Sequence, residues 1–227
     1  MIIITGDTHG DISRFDDLEE RFENLTENDV VIVTGDFGFL FNDKNGKPRI
    51  ENLTTKSYKI LFVDGNHEDY EKLKSYPVES FFGGKVHKIS DNIFHLIRGE
   101  IFEIENKKIF CFGGAYSIDR WLRKKDVSYF EEEIPSKEEM ENAIKNLEKY
   151  NFNVDYIITH TLPTSIIRLM KYEITEENLD KEFTDFLDKI REKTNFQKWF
   201  AGHFHKDKYA IESRDFLVLY KSFYIIE

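Results

Sequence analysis

Aspartate follows a glycine directly after each of the first two apolar runs of the sequence. The run at 30–34 ends in Gly35-Asp36, and the run at 2–5 ends in Gly6-Asp7. A short, unbroken apolar run that ends in glycine predicts a buried parallel strand. Because open α/β sheets bind their ligands at the carboxyl ends of such strands, we expect both aspartates at a ligand-binding edge. Capping of the next helix explains a lone aspartate equally well.

Histidine and asparagine follow three further apolar runs in the same way, at 59–63, 155–159 and 198–201. Five of the seven histidines lie at predicted strand ends, whereas His87 and His95 lie inside predicted strands. Helix capping does not explain such a series, so we interpret the strand-end residues together as candidate metal ligands. These candidates are Asp7, His9, Asp36, Asn66, His160, His203 and His205.

The donor atoms of this set are oxygen and imidazole nitrogen, without thiolate, a combination that suits Mn, Fe, Zn or Ni. Seven ligands are too many for one mononuclear site. Two metal ions about 3.5–4 Å apart can share a carboxylate and polarise both a phosphoryl oxygen and an attacking water. The pKa of such a water falls to about 7, so hydroxide is available near neutral pH. The set therefore predicts two-metal chemistry on a phosphoester.

The segments between these strand ends must hold the candidate ligands in place. Apolar residues spaced three and four apart predict a helix over 12–22, with Asp11 capping its start. A second amphipathic helix is predicted at 136–150, where Ser136 and Glu139 form a plausible capping box. Two more helical segments are predicted at 166–170 and 176–193.

Short, partly alternating segments in the middle of the chain, separated by Asx and Gly turns, predict an antiparallel meander. These segments are 85–89, 93–97, 100–104 and 107–112. Three strands are predicted to close the chain, also antiparallel. They are 209–211, 216–220 and 223–226.

Two stretches beside the predicted strand ends leave alternatives open. Phe37, Phe39 and Phe41 fit either the core or a partly exposed lip beside a site, and we favour the lip because ligand pockets are lined mainly by apolar groups. The stretch at 113–125 mixes glycine, cations and aromatic residues. It is either a solvated basic loop or a substrate-binding loop in which arginine binds phosphate.

Length and composition limit the class of protein. A chain of 227 residues with 40% hydrophobic and 33% charged residues predicts one globular domain over 1–227. The net charge of -11 argues against binding long nucleic acids through a basic face, but it permits a nucleotide substrate. A single cysteine, Cys111, excludes an intramolecular disulfide and a Cys-rich zinc site. We predict that it is a buried core residue. No membrane span or signal peptide is recognisable, so we expect a cytoplasmic protein.

The sequence resembles the calcineurin-like metallophosphoesterase superfamily. Five signature motifs occur in order and span nearly the whole chain, which makes the resemblance specific. They are Gly6-Asp7-Thr8-His9, Gly35-Asp36, Gly65-Asn66-His67-Glu68, Thr159-His160 and Gly202-His203-Phe204-His205.

The resemblance implies a role for each matching residue. One metal would be bound by Asp7, His9 and His205, and the other by Asn66, His160 and His203. Asp36 would bridge the two ions, and a bridging hydroxide would attack phosphorus in line. His67 would be the general acid for the leaving oxygen or a phosphate ligand. Manganese is the expected metal, with Fe, Zn or Ni as alternatives.

The resemblance also implies a fold, a four-layer α/β/β/α sandwich of two mixed β-sheets flanked by helices. In one respect the sequence departs from the family's protein serine/threonine phosphatases, which carry Gly-Asp-x-Val-Asp-Arg-Gly where this chain has Gly35-Asp36-Phe37-Gly38-Phe39-Leu40. The arginine that clamps phosphate is missing there, which weakens any expectation of protein phosphatase activity. Arg120 or Arg123 could supply that clamp, so with Asn66 they are the expected substrate contacts.

The acid that orients the motif histidine is missing as well, and Glu68 or Asp64 could take over that role toward His67. The predicted phenylalanine lip and Trp121 would suit a nucleotide base or another flat leaving group. This slightly favours a phosphodiester substrate over a phosphomonoester.

Three functions compete on this reading. The leading one is a dimetal phosphodiesterase or phosphatase that acts on a small phosphoester or nucleotide. A nuclease or RNA-end phosphatase acting on short nucleic acid is the second, since the net charge of -11 counts only against long polyanions. The third is a catalytically silent scaffold that binds protein, against which the complete set of ligands argues. The sequence does not indicate an oligomeric state.

Overall fold

The computed structural model describes residues 1–170, 181–211 and 215–226 of the chain. Within them the backbone forms thirteen β-strands and five α-helices. The strands are β1 (Ile2–Thr5), β2 (Val30–Val33), β3 (Lys59–Phe62), β4 (Val78–Phe81), β5 (Gly84–Lys88), β6 (Ile93–Leu96), β7 (Glu100–Ile104), β8 (Lys107–Phe112), β9 (Tyr156–Thr159), β10 (Lys198–Ala201), β11 (Lys208–Ile211), β12 (Phe216–Val218) and β13 (Phe223–Ile226). The helices are α1 (Ser13–Arg21), α2 (Tyr70–Ser75), α3 (Lys137–Lys149), α4 (Thr164–Leu169) and α5 (Lys181–Lys193).

Seven strands form the first sheet, in the order β13-β1-β2-β3-β6-β5-β4. Strands β1, β2, β3 and β6 are parallel neighbours, and their register aligns Thr5 with Val33 and Val33 with Phe62. The other pairs of this sheet are antiparallel. Since three parallel strands end level with one another, the segments that follow β1, β2 and β3 leave the sheet at one edge.

Six strands form the second sheet, in the order β11-β12-β10-β9-β8-β7. Here β8, β9, β10 and β12 are parallel, and antiparallel strands lie at both edges. Both sheets are therefore mixed, as the family resemblance implies.

Alternation along the strands divides the core into three layers and so arranges the two sheets face to face. Ile2 and Ile4 belong to the cluster between the sheets, together with Cys111 of β8, whereas Ile3 packs outward with Phe15 of α1. On the second sheet the outward residues pack against α3, α4 and α5. The result is a four-layer α/β/β/α sandwich. Each fully buried Ile or Phe side chain contributes about 1.5–3 kcal/mol to its stability.

Helix starts follow local sequence signals. The Ser136 hydroxyl accepts the Glu139 N–H and the Glu139 carboxylate accepts the Ser136 N–H, which confirms the capping box of α3. The prediction that Asp11 caps α1 is wrong: the Asp11 carboxylate accepts the N–H of Ser13 at 3.1 Å, but Ile12 is the N-cap and makes no side-chain capping hydrogen bond. No helix in the described ranges combines the length and the apolar character that crossing a bilayer requires.

The prediction of one antiparallel meander over 85–112 is wrong in its pairing, although its four strands exist. Strands β5 and β6 form a hairpin in the first sheet, where β6 also pairs parallel with β3. Strands β7 and β8 form a hairpin in the second sheet, and the chain crosses between the sheets at Arg98-Gly99. Alternation describes a strand but not its partner. Strand β4 was not predicted, because its residues are mostly exposed.

Two other predictions about the last third of the chain are only partly right. Strands β11 and β12 are antiparallel and β13 is antiparallel to β1, but β12 is parallel to β10. The helix predicted over 176–193 is present as α5, and 176–180 lie outside the described residues.

The predicted phenylalanine lip is wrong for two of its three members. Phe37 is fully buried and stacks on Phe62 with ring centroids 4.2 Å apart, and Phe39 packs edge-on against Phe15. Phe41 is partly buried. These rings fill the core between α1 and the outer face of the first sheet, so burial of their large apolar surface outweighs any role at the site.

Candidate metal centre

The carboxyl ends of strands from both sheets bring the seven candidate ligands together. The segments after β1, β2 and β3 carry four of them, and those after β9 and β10 carry the other three. We call this set the strand-end cluster. It consists of Asp7, His9, Asp36, Asn66, His160, His203 and His205.

Four members form a compact group with all their ligand atoms within 4.8 Å of one another: Asp7, His9, Asp36 and His205. Nε2 of His9 lies 2.9 Å from Nε2 of His205, which in turn lies 3.2 Å from a carboxylate oxygen of Asp7. Oδ2 of Asp36 is 3.8 Å from Nε2 of His9. One cation could be surrounded by these oxygen and nitrogen donors.

Asp36 also faces the remaining members with its other oxygen. Its Oδ1 lies 3.4 Å from Nε2 of His160, and the amide oxygen of Asn66 is 3.0 Å both from that nitrogen and from Nδ1 of His203. The structure thus divides the cluster into two halves that share Asp36. This is the division that the family resemblance implies for two metal ions.

The hydrogen bond behind His160 determines which of its nitrogens faces the cluster. Its Nδ1 lies 2.8 Å from the backbone oxygen of Thr34, which can only accept, so Nδ1 carries the proton. In the neutral ring Nε2 is then a bare acceptor, and it faces the Asn66 amide oxygen, another acceptor. Nε2 of His160 and the Asn66 amide oxygen, 3.0 Å apart, can both bind one positive charge, which a proton on Nε2 or a metal ion would supply. The donor set therefore fits a metal ion.

Backbone strain is concentrated in the same cluster. Four of its seven residues have positive φ angles: 49° at His9, 47° at Asp36, 67° at His203 and 48° at His205. A non-glycine residue rarely adopts this conformation, which costs of order 1–3 kcal/mol and is typical of functional sites. Hydrogen bonds hold it in place, since the His9 N–H donates to the Asp36 carbonyl at 2.7 Å and the His203 N–H to the Asp7 carboxylate at 3.0 Å.

Glycine is required beside the ligands because nothing larger fits. A Cβ on Gly35, whose φ is 100°, would overlap the imidazole of His160. A Cβ on Gly202 would overlap the carboxylate of Asp7. The glycines of the motifs therefore let the ligands approach the strand ends closely.

Charge in the cluster is not balanced by the protein. Asp7 and Asp36 are each 1% exposed, and among the described residues their ion-pair partners are histidines alone. Burial acts to raise the pKa of Asp36, but His160, His67 and His9 outweigh it and hold this pKa below its ordinary value. Buried carboxylates without a cation are costly, so this site favours added positive charge.

Imidazoles of the cluster are suited to bind metal at neutral pH. Burial, followed by the charge of His160, lowers the pKa of His203 to about 4, and burial also lowers the pKa of His9. A neutral imidazole offers the lone pair that a metal ion needs. The hydrogen bond with Asp7 raises the pKa of the more exposed His205.

His67 lies beside the cluster, its ring edge-on to that of His9 with centroids 5.5 Å apart. Nη2 of Arg123 lies 2.7 Å from Nε2 of His67. Since a guanidinium can only donate, this nitrogen accepts and carries no proton in this arrangement. Burial, with a further contribution from Arg123, lowers the pKa of His67.

The structure does not support Glu68 or Asp64 as the group that orients His67. The Glu68 carboxylate accepts the N–H of Phe37 at 2.7 Å and so braces the segment after Asp36. Asp64 belongs to a separate buried network on the other side of β3. We call it the Arg98 network, and its members are Asp64, Tyr70, His95, Arg98 and Glu139.

The two arginines of the 113–125 stretch have different positions. Arg123 reaches His67, as described above, whereas Arg120 pairs with the buried carboxylate of Glu133 and stacks over Tyr116 at 4.3 Å. Glu133 and its partner Ser117 were not singled out from the sequence. Glu133 is one of three consecutive glutamates, and no local pattern distinguishes the buried one.

Comparison with known proteins assigns the chain to a family. A family model of calcineurin-like phosphoesterases matches residues 1–207. The chain belongs to the calcineurin-like phosphoesterase family. Members of this family are dimetal-dependent phosphoester hydrolases, and the strand-end cluster offers the oxygen and imidazole donors that such ions take.

Among solved structures, this calcineurin-like phosphoesterase is similar to a 5'-nucleotidase from Candida albicans SC5314, with a TM-score of 0.44, 16% identity and coverage of 97% of this chain and 45% of that one. It is also similar to a protein serine/threonine phosphatase from Saccharomyces cerevisiae, with a TM-score of 0.41, 14% identity and coverage of 96% and 66%. The chain thus spans less than half of the first protein and about two thirds of the second. A search of curated proteins found no match.

Proposed function

We propose that this protein hydrolyses a small phosphoester or nucleotide with the help of two divalent metal ions. The observation that carries the proposal is a cluster of oxygen and imidazole donors whose two buried carboxylates have histidines alone as ion-pair partners among the described residues. Such a cluster is electrostatically incomplete until cations enter. Family membership supports the same reaction class.

Each ion would take a different half of the strand-end cluster. Asp7, His9 and His205 would hold one ion, Asn66, His160 and His203 the other, and Asp36 would serve both. Bound there, the two ions would polarise a phosphoryl oxygen and lower the pKa of a water to about 7. Manganese is our first expectation, with Fe, Zn and Ni as alternatives.

Arg123 and His67 would contact the substrate. The Arg123 guanidinium donates to His67, and a substrate phosphoryl oxygen is a stronger, charged acceptor for the same donor. If the phosphoryl group takes Arg123, Nε2 of His67 is released. It can then carry a proton to the leaving oxygen as general acid, or bind the phosphate itself.

The structure removes part of the support that the sequence gives to a diester substrate over a monoester. Phe37 and Phe39 lie in the core, so they do not support a flat leaving group. Trp121 remains, 78% exposed and two residues before Arg123. A nuclease or RNA-end phosphoesterase acting on short nucleic acid is the second candidate, and the net charge of -11 counts against a longer one. A single domain over 1–227 and a cytoplasmic location remain predictions.

The test is to load the purified protein with Mn²⁺, count bound metal, and compare hydrolysis of bis-p-nitrophenyl phosphate with that of p-nitrophenyl phosphate. We expect two ions per chain and metal-dependent turnover of at least one ester. Preference for the diester would direct the substrate search to nucleotides, and preference for the monoester would favour Arg123 as a clamp for a dianion. Two bound ions without turnover of any phosphoester would contradict catalysis and favour the scaffold.

A further inference from the structure

Asn66 is the one candidate ligand with an amide side chain, which could face the cluster in two ways. Its amide ends in an oxygen, which can bind a cation, and an NH₂ group, which cannot. Rotation by 180° exchanges the two with little change of shape. Some neighbour must therefore determine which end faces His160 and His203.

A chain of two hydrogen bonds behind Asn66 makes this choice. Nδ2 of Asn66 donates to Oγ of Ser117 at 3.0 Å, and Ser117 Oγ donates to Oε2 of Glu133 at 2.8 Å. All three side chains are buried, with Glu133 0% and Ser117 1% exposed. No water is needed to complete the chain, because each group meets the next directly.

The direction of the chain follows from the charge at its end. An ionised carboxylate only accepts, so Glu133 takes the single hydroxyl proton of Ser117. Ser117 Oγ can then only accept from Asn66, and Asn66 must turn its NH₂ group toward Ser117. Its oxygen is left facing His160 and His203, 3.0 Å from each.

We propose that Glu133 is a positioning residue for one of the two metal ions, the one that Asn66 would help to bind. Glu133 acts through Ser117, which fixes the amide of Asn66 with its oxygen toward that ion. The same carboxylate accepts the Ser117 N–H at 3.1 Å and pairs with Arg120. One buried charge thus holds both the ligand amide and the segment that ends at Arg123. The inference rests on the proposed function, because it concerns one of the two metal sites.

Ser117→Ala is the sharpest variant, since it removes one oxygen and leaves the Glu133–Arg120 pair in place. Ser117→Thr keeps the hydroxyl and should restore the behaviour of the native protein. Ser128→Ala is the matched control, because Ser128 lies in the same part of the chain and its side chain bonds only to Lys124 among the residues that the structure describes. Glu133→Gln tests the charge itself, since a glutamine amide can donate to Ser117 and reverse the chain.

Mn²⁺ affinity of each protein should be measured by calorimetry, and the spin coupling of the bound ions by electron paramagnetic resonance. We expect Ser117→Ala and Glu133→Gln to weaken one of the two ions by about 10–100-fold and leave the other unchanged. At one to two equivalents of Mn²⁺ the signal of the coupled pair should give way to that of isolated Mn²⁺. Excess Mn²⁺ should restore turnover of p-nitrophenyl esters, which a misfolded variant could not do.

Outcomes separate this inference from the proposed function. Native-like affinity for both ions in Ser117→Ala, or equal weakening of both, would overturn the role of Glu133 while the native protein still binds two ions. A loss of Mn²⁺ affinity in Ser128→Ala as large as in Ser117→Ala would overturn it too, because any change in this loop would then have the same effect. Failure of the native protein to bind two ions would instead overturn the proposed function.

Discussion

The strand-end cluster and the Arg98 network both bury carboxylates beside β3, but only the Arg98 network contains its own cation. Asp64 accepts Nε of Arg98 at 2.9 Å, Nε2 of His95 at 3.0 Å and the hydroxyl of Tyr70 at 2.8 Å. Burial acts to raise the pKa of Asp64, yet Arg98 and His95 outweigh it and hold that pKa far below its ordinary value. Every charge there has a partner.

Only two residues further along the chain, Asn66 belongs to a cluster of the opposite kind. Asp7 and Asp36 are as buried as Asp64, but their ion-pair partners within the described ranges are histidines alone. In that cluster the Asn66 amide oxygen and Nε2 of His160 lie 3.0 Å apart without an arginine or lysine beside them among the described residues. The comparison teaches that burial of an acid does not indicate function by itself. Missing positive charge does, because it leaves a place for an ion from outside.

Asp36→Asn should have the largest effect on activity, because one carboxylate serves both halves of the cluster. We expect loss of both ions and a fall in turnover of about 10³-fold or more, which corresponds to several kcal/mol of transition-state stabilisation. Metal content and turnover are to be measured together, with Asp91→Asn, a surface change, as control. Near-native metal content in Asp36→Asn would rule out the bridging role.

Asp64→Asn should act on stability rather than on the ions. It leaves the buried Arg98 guanidinium short of its main partner, which costs about 3–5 kcal/mol and lowers the melting temperature by roughly 6–20 °C. Asp36→Asn, measured in EDTA, should cost less than Asp64→Asn, because the ion-pair partners of Asp36 are histidines and removing its charge leaves no buried arginine unpaired. Equal melting temperatures of the two variants in EDTA would break the comparison between the two clusters.

His67→Ala should separate proton transfer from metal binding. We expect both ions to remain, while turnover of esters with poor leaving groups falls by about 10²-fold, as loss of a general acid predicts. Esters with good leaving groups should slow less. A series of aryl phosphates of increasing leaving-group pKa measures this, and equal slowing across the series would remove the general-acid role of His67.

The smallest effect concerns the backbone of the cluster. At His9, with φ of 49°, the His9→Gly variant should be more stable than His9→Ala by about 1 kcal/mol in EDTA, because glycine avoids the left-handed penalty. At His87, in the interior of β5, the order should reverse by about 0.5–1 kcal/mol, because glycine weakens a strand. Urea unfolding of the four variants tests both signs. The same order at both positions would refute backbone strain in the cluster.

The strand ends could be predicted from the sequence because every determinant is local. An unbroken apolar run and a glycine mark the end of a buried parallel strand before Asp7, Asp36 and His203, and His160 directly follows an apolar run without a glycine. Parallel strands then bring their ends to one edge. The two mixed sheets, which the family resemblance implies, are confirmed as well.

The remaining parts depend on contacts that no local pattern encodes. Asp64 and Arg98 are 34 residues apart, and Ser117 lies 51 residues from Asn66. The sequence does not show whether Phe37 lines a site or lies in the core. In the structure it stacks on Phe62, which is far away along the chain. Likewise β6 pairs with β3 and not with β7, which follows it, because strand pairing is set by the whole sheet.

The order of the ligands along the chain has a consequence for how the protein is made. Asp7 lies 196 residues before His203, and His9 lies 196 residues before His205, yet both pairs are in contact. A ribosome adds residues at about 5–20 per second, so for many seconds a nascent chain exposes the early acids and imidazoles without their later partners. The first sheet is also unfinished during this time, because β1 pairs with β13. If the cluster binds metal ions as we propose, their capture would be a late event in synthesis, and a stalled or truncated chain would bind them poorly.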